Sequence, residues 1–210
     1  MNFKKSILHS ISMVIAILAG LNGFAQDEKL ALEAFETGNY FEAIVQYERL
    51  LEENPDNIDF NLNIGLCYLR TNIDPKAALG YLLAVERSPK CPTYVYIELA
   101  TAHMFHLEYE EALRNLEKFE SEGGVNRKNR DDFKRLVANC NAALDLIKYP
   151  VDVTFKNLGP EVNSIYPDYH PFITQDGKTI LYTTRRKIRP GSKPEFDGYF
   201  PSDIFKTTFE

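Results

Sequence analysis

Ala43-Ile-Val-Gln-Tyr47-Glu-Arg-Leu50 returns as Ala78-Leu-Gly-Tyr-Leu82-Leu-Ala-Val85, and again as Ala112-Leu-Arg-Asn-Leu116-Glu-Lys-Phe119. In each copy a small residue and two larger apolar ones stand four and three positions apart, which places them on one face of a helix. The copies are 35 and then 34 residues apart, so the face belongs to a repeated unit rather than to one long helix.

Other residue classes keep the same intervals. Leu30-Ala31, Ile64-Gly65 and Leu99-Ala100 are apolar-then-small pairs. Small residues at Ala31, Gly65 and Ala100, and at Ala43, Ala78 and Ala112, let the two helices of a unit approach closely. Gly38-Asn39 reads as the turn inside the first unit, and Asn54-Pro55-Asp56-Asn57 ends its second helix, because proline cannot continue one. Pro89 closes the second unit, and the one-residue slip falls in the turn Thr71-Asn-Ile-Asp-Pro75, where an insertion is tolerated.

From Asp27 to Phe119 this pattern resembles the tetratricopeptide repeat. The resemblance implies three repeats over 26–122, and a groove lined by their first helices in which such repeats usually hold a partner segment. By helical spacing the lining would be Leu32, Phe35 and Glu36, then Leu62, Leu66 and Arg70, then Ile97, Thr101 and Phe105. That lining is mostly apolar, which favours a protein segment over a sugar or nucleotide. Two alternatives stay open: some of these side chains pack between units, or the array serves only as a spacer.

Residues 123–149 read as a linker and a capping helix. After Gly123-Gly124 the stripe Phe133, Leu136, Val137, Cys140, Ala143, Leu144, Ile147 marks a helix over 131–148 with no partner of its own, as expected of the end of a solenoid. His103 and His106 with Glu108, Glu110 and Glu111 are the nearest approach to a ligand cluster, but His103 occupies the position of Tyr68 in the preceding unit, so a packing role is expected. No acid–base, nucleophile or cofactor-binding set is present, and no catalytic, metal or cofactor site is assigned.

The first 25 residues read as an export signal: Lys4 and Lys5, the apolar stretch from Ile11 to Leu21, and the small-x-small site Gly23-Phe24-Ala25. The apolar run is too short to span a bilayer well, and cleavage would leave Gln26 first. The 210 residues carry 24 Lys and Arg against 30 Asp and Glu, a net charge of −6 that disfavours nucleic acid as a partner. The excess acid lies wholly in the helical part, which has 14 basic and 22 acidic residues from Gln26 to Pro150. Cys67, Cys91 and Cys140 are odd in number; Cys67 and Cys140 fall on apolar helical faces and read as buried thiols, with a Cys67–Cys91 bridge as the alternative.

At Pro150 the pattern changes from helix to strand. Val151-Asp-Val-Thr-Phe155 alternates, Tyr169–Thr174 and Thr179–Thr184 are strand-like around the turn Gln175-Asp176-Gly177-Lys178, and Asp203-Ile-Phe-Lys-Thr-Thr-Phe-Glu210 reads as a further strand. The ordered set Tyr166-Pro167-Asp168-Tyr169-His170-Pro171, Asp176-Gly177-Lys178, Ile180-Leu181-Tyr182-Thr183-Thr184-Arg185-Arg186 and Ser202-Asp203-Ile204-Phe205 resembles a blade of the WD-like, TolB-type β-propeller. Phe205 stands where that repeat usually has tyrosine. The fold class expected is therefore α+β and multidomain: an α-solenoid of tetratricopeptide repeats, then an incomplete β-propeller of about one blade over 150–210. A propeller closes with about four to eight blades, so a longer parent chain is expected.

The order of signal, repeats and propeller, with Asn163-Ser-Ile-Tyr166-Pro-Asp168-Tyr169-His-Pro171, resembles the N-terminal part of Bacteroidetes cell-envelope proteins of the OmpA family, some of them linked to type IX secretion. What the resemblance implies is a non-enzymatic scaffold or adaptor in the periplasm or at the periplasmic face of the outer membrane, with other envelope proteins or peptide segments as partners. Peptidoglycan would be bound only by a downstream domain that these residues do not include. The alternative is the front of a propeller-containing periplasmic hydrolase, a peptidase, although the chain has no Gly-x-Ser-x-Gly. A third is a free-standing helical adaptor whose β tail pairs with another chain. The basic loop Arg185–Lys193 is read as solvated and balanced by Glu195, Asp197 and Asp203, with anion binding as the alternative.

Overall fold

The computed structural model describes residues 25–71 and 73–209. The expected export segment, apart from Ala25, lies outside them.

The described chain starts in a helix, α1 (25–36), and continues with α2 (Tyr40–Glu53), α3 (Ile58–Leu69), a 3-10 turn (Pro75–Ala77), α4 (Ala78–Glu86), α5 (Val95–Phe105), α6 (Tyr109–Ser121) and α7 (Arg130–Leu146). Consecutive helices pack as hairpins, α1 with α2 through Ala31, Ala34, Ala43 and Tyr47, α3 with α4 and α5 with α6, and α7 packs on α6 through Phe133, whose ring centroid lies 6.1 Å from that of Phe119. The turns account for the boundaries. Gly38 reverses the chain with φ +80°, a backbone state that favours glycine. Asn39 then caps α2 by accepting from Glu42 N at 3.3 Å, and Asn57 caps α3 by accepting from Phe60 N at 3.1 Å. Glu108 precedes α6 without capping it, because its carboxylate is taken by His103 at 2.7 Å.

The periodic residues form the core. Ala31, Ala43, Tyr47, Leu50 and Ile64 are buried together in one cluster; Ala78, Leu82, Val85, Leu99, Ala100, Ala112, Leu116 and Phe119 are buried in a second. Gly65 shows why the small class is needed: a Cβ there would stand 2.8 Å from Leu82 Cγ. Cys67 and Cys140 are buried free thiols and Cys91 is a half-buried one.

Three antiparallel strands form one sheet in the order β1 (Asp168–Ile173), β2 (Thr179–Thr184), β3 (Asp203–Thr208). Gly177 turns between β1 and β2 with φ +69°, and Thr174 Oγ1 donates to Asp176 Oδ1 at 2.6 Å. Pro171, which has no N–H, lies where the β1–β2 register shifts between Tyr169 and Phe172, and His170 beside it takes φ +53°. One face of β2, Ile180 and Tyr182, packs with Val162, Phe205 and Phe209.

The alternating stretch Val151–Phe155 is not a strand, which corrects the expectation. Alternation makes a strand only where a neighbour supplies a ladder, and this segment pairs with none of the three; Phe155 is 93% exposed. It belongs to an exposed connector from α7 to the sheet. Loop residues Tyr166 and Tyr199 of the β module reach the first hairpin at Phe41.

Candidate functional site

The surface that could hold another molecule is formed by the first helix of each hairpin, and the structure divides the nine residues expected to line it. Leu62 and Leu66 are buried at 5% and 7% exposure and belong to the core between units. Phe35 and Ile97 are half-buried and packed against that core. Thr101 is half-buried and spends its hydroxyl on Ile97 O, donating at 3.0 Å. Leu32, Glu36, Arg70 and Phe105 are exposed, with Leu32 at 44% and Phe105 at 42%.

Arg70 is the organised member of this set. It follows α3 as its C-cap residue, and its N–H bonds to Leu66 O and Cys67 O at 3.2 Å, which fixes the backbone. Its guanidinium then lies over two rings, 5.5 Å from the Phe35 centroid and 5.7 Å from that of Tyr40, which are themselves edge-to-face at 5.9 Å. The stacking orients the planar fork and leaves its edge free to donate.

Two residues of this surface escaped the sequence reasoning. Tyr40, first residue of α2, supplies half of the Arg70 platform. Glu98 is the lone acid in the apolar α5; burial raises its carboxyl above the usual range, against the pull of Arg70. The signal for Glu98 was present, since an acid inside Val95-Tyr-Ile-Glu-Leu-Ala100 breaks an otherwise apolar run.

Tyr68 and Tyr81 stack at 5.8 Å and both donate to Glu48 Oε1, at 3.0 and 3.4 Å, joining the first hairpin to the second. His106 Nε2 donates to Lys76 O at 3.0 Å and joins the second to the third. With His103 held by Glu108, both histidines serve turns and helix contacts. Among the described residues no group of three or more His, Cys, Asp or Glu could hold a metal ion. In the basic loop, Arg185 donates to Asp197, Glu195 and Phe200 O, and Arg186 to Asp168 and the carbonyls of Pro160, Glu161 and Val162. These two arginines are internal braces; Lys187, Arg189 and Lys193 remain exposed.

Comparison with curated proteins finds no match. A family model described as the tetratricopeptide repeat matches residues 28–92, which run through α1 to α4 and into the turn before α5. The third hairpin lies beyond that match and repeats its geometry, with Ala112, Leu116 and Phe119 buried as Ala43, Tyr47 and Leu50 are. Residues 28–92 are thus similar to the tetratricopeptide repeat, and the hairpin that follows them packs in the same way.

Proposed function

We propose that this chain is a non-enzymatic scaffold or adaptor of the cell envelope that holds a segment of a partner protein along the first helices of its repeats. Repeats of this kind hold protein partners and are in general not enzymes. The observation that carries the reading is the strip of exposed Leu32, Arg70 and Phe105 with half-buried Phe35 along the helical array: apolar contacts interrupted by one oriented guanidinium suit a peptide segment. The place of action, the periplasm or the periplasmic face of the outer membrane, rests on Lys4, Lys5, the apolar stretch and Gly23-Phe24-Ala25. Residues 150–210 are read as the first blade of a WD-like propeller, supported by the three-stranded antiparallel meander and the motif residues on its strands. Association with an outer-membrane or type IX secretion assembly follows from the family resemblance alone.

The experiment places a photo-crosslinking amino acid at Leu32 or Phe105, and as a control at Val45, which is 51% exposed on α2. In living cells the groove positions are expected to crosslink one discrete partner and Val45 none, with the mature protein starting at Gln26 in the envelope fraction. Equal crosslinking from all three positions, or a protein kept in the cytosol, overturns the reading.

A further inference from the structure

Phe41 stands outside the buried stripe of α2, which is Ala43, Ile44, Tyr47 and Leu50. Its ring meets the β module instead: edge-to-face on Tyr199 with centroids 5.1 Å apart, and tilted on Tyr166 at 5.6 Å. Tyr166 is edge-on to the buried Phe200 at 5.8 Å, so the contact continues into the module's interior. Beside these rings the two backbones come close. A Cβ at Gly198, where φ is +81°, would overlap Asn39 Oδ1, and a Cβ at Gly38 would touch Asp197 Cβ at 4.0 Å.

The module's side of this contact is braced. Arg185 donates to Asp197 Oδ2 at 2.6 Å and to Phe200 O at 2.9 Å, binds Glu195, and lays its guanidinium 5.1 Å from the Tyr199 centroid. The 195–200 loop therefore holds its shape before it meets Phe41. The covalent connection is the opposite. Every residue from 150 to 158 is exposed, and among the described residues its one backbone–backbone hydrogen bond runs from Val153 N to Val151 O. Such a connector limits how far the module travels and does not orient it.

We propose that Phe41, gripped by Tyr166 and Tyr199, is an intramolecular latch that seats the β module on the turn of the first helical hairpin and closes helical array, connector and module into a ring. Seating depends on the aromatic grip and the Gly198–Asn39 approach, because nothing in the connector enforces it. The latch fixes the sheet relative to the groove whatever the groove holds, and opening it frees the module on a tether of about nine residues, a reach of up to ~30 Å.

The test is a distance measurement on the full chain with spin labels at Arg49→Cys on α2 and Lys206→Cys on β3, both exposed, in a Cys91→Ser background that leaves only the two buried thiols. The latched chain gives one narrow distance population. Phe41→Ala, which spares the buried stripe of α2, is expected to broaden it and move it to longer distances with the helical circular dichroism and melting unchanged. Tyr199→Ala approaches the contact from the other side and is expected to do the same. A broad distribution in the parent chain, or a narrow one kept by both variants, overturns the latch.

Discussion

Arg186 Nη2 lies 2.9 Å from Asp168 Oδ1, with both side chains largely out of solvent at 14% and 13% exposure. The same guanidinium donates to Pro160 O at 3.1 Å, Glu161 O at 3.0 Å and Val162 O at 2.9 Å, and lies 5.2 Å from the Phe205 centroid. Asp168 also accepts from Ser164 N at 2.6 Å and Ser164 Oγ at 2.8 Å. One ion pair therefore ties the approach segment 160–164 to the start of β1 and the end of β2.

Breaking this pair leaves a buried charge without its partner, which costs on the order of 3 kcal/mol. Asp168→Ala and Arg186→Ala are each expected to lower the stability of the sheet by that order and to leave the helical array unchanged. Arg186→Lys is expected to be nearly as damaging, because an ammonium does not reproduce the fork that serves the carbonyls and the carboxylate together. Hydrogen exchange of the β2 amides, compared with those of α3 and α5, reads the difference; equal exchange in parent and variants would refute the assignment.

The acid side of the stability curve follows from two carboxylates. Burial works against ionising Asp168, but hydrogen bonds from Thr184, Ser164 and Arg186 outweigh it and hold its carboxyl below the usual range. Asp197 is likewise held low: burial opposes ionisation, and Arg185 together with the Tyr199 N–H prevails. A depressed folded value means that the stabilisation is complete above the unfolded value of about 4 and is lost as the pH falls through the folded values. The sheet is expected to loosen below about pH 4. Tyrosine fluorescence followed from pH 7 to 2 measures this, and Asp168→Asn is expected to flatten the acid limb.

Much of this architecture was legible in the primary structure, and the limits are physical. Helix pairs, turns and core positions repeat with a period, and periodic burial leaves a local signal; Ala43, Tyr47 and Leu50 are all buried where the pattern placed them. Thr179–Thr184 emerged with its bounds intact because Asp176-Gly177 sets the hairpin locally. Val151–Phe155 shows the limit: its alternation is genuine, yet pairing depends on a neighbour that the segment does not specify. Among the residues expected to line a groove, spacing did not separate buried Leu62 and Leu66 from exposed Leu32 and Phe105. The contact of Phe41 with Tyr199 joins residues far apart in the chain, and its only trace was an aromatic side chain off the α2 stripe.

Gly65 tests the close approach of α3 and α4. A methyl group there would lie 2.8 Å from Leu82 Cγ and 2.9 Å from Leu82 Cδ2, and Leu82 is fully buried. Alanine is a better helix former than glycine, by roughly 1 kcal/mol, so propensity alone predicts a gain. Overpacking of a buried leucine costs about 1–3 kcal/mol and is expected to win. Urea unfolding followed by helical circular dichroism should therefore show Gly65→Ala less stable than the parent, and Gly65→Ala with Leu82→Val should recover part of the loss. A stability gain in the single variant would mean that the helices can separate without cost.

The three thiols give an independent reading of which helix contacts open. Burial pushes the Cys67 thiol up to about 12, with Arg70 pulling the other way, so little of it is the reactive thiolate at pH 8. Burial raises Cys140 and Cys91 as well, but Cys91 is half-buried while Cys140 and Cys67 have no exposed surface. Alkylation of the native protein is expected to reach Cys91 first, with Cys67 and Cys140 protected until their helices part. Their order is informative, because Cys67 sits among three helices of the first two hairpins, whereas Cys140 lies on the last helix, α7, which packs chiefly on α6. Cys140 should therefore react ahead of Cys67, at a rate that rises in Phe133→Ala, where the ring contact between α7 and Phe119 is removed. Mass spectrometry of timed samples gives the three rates separately, and reaction of Cys67 as fast as Cys91 would contradict the packing of the first two hairpins.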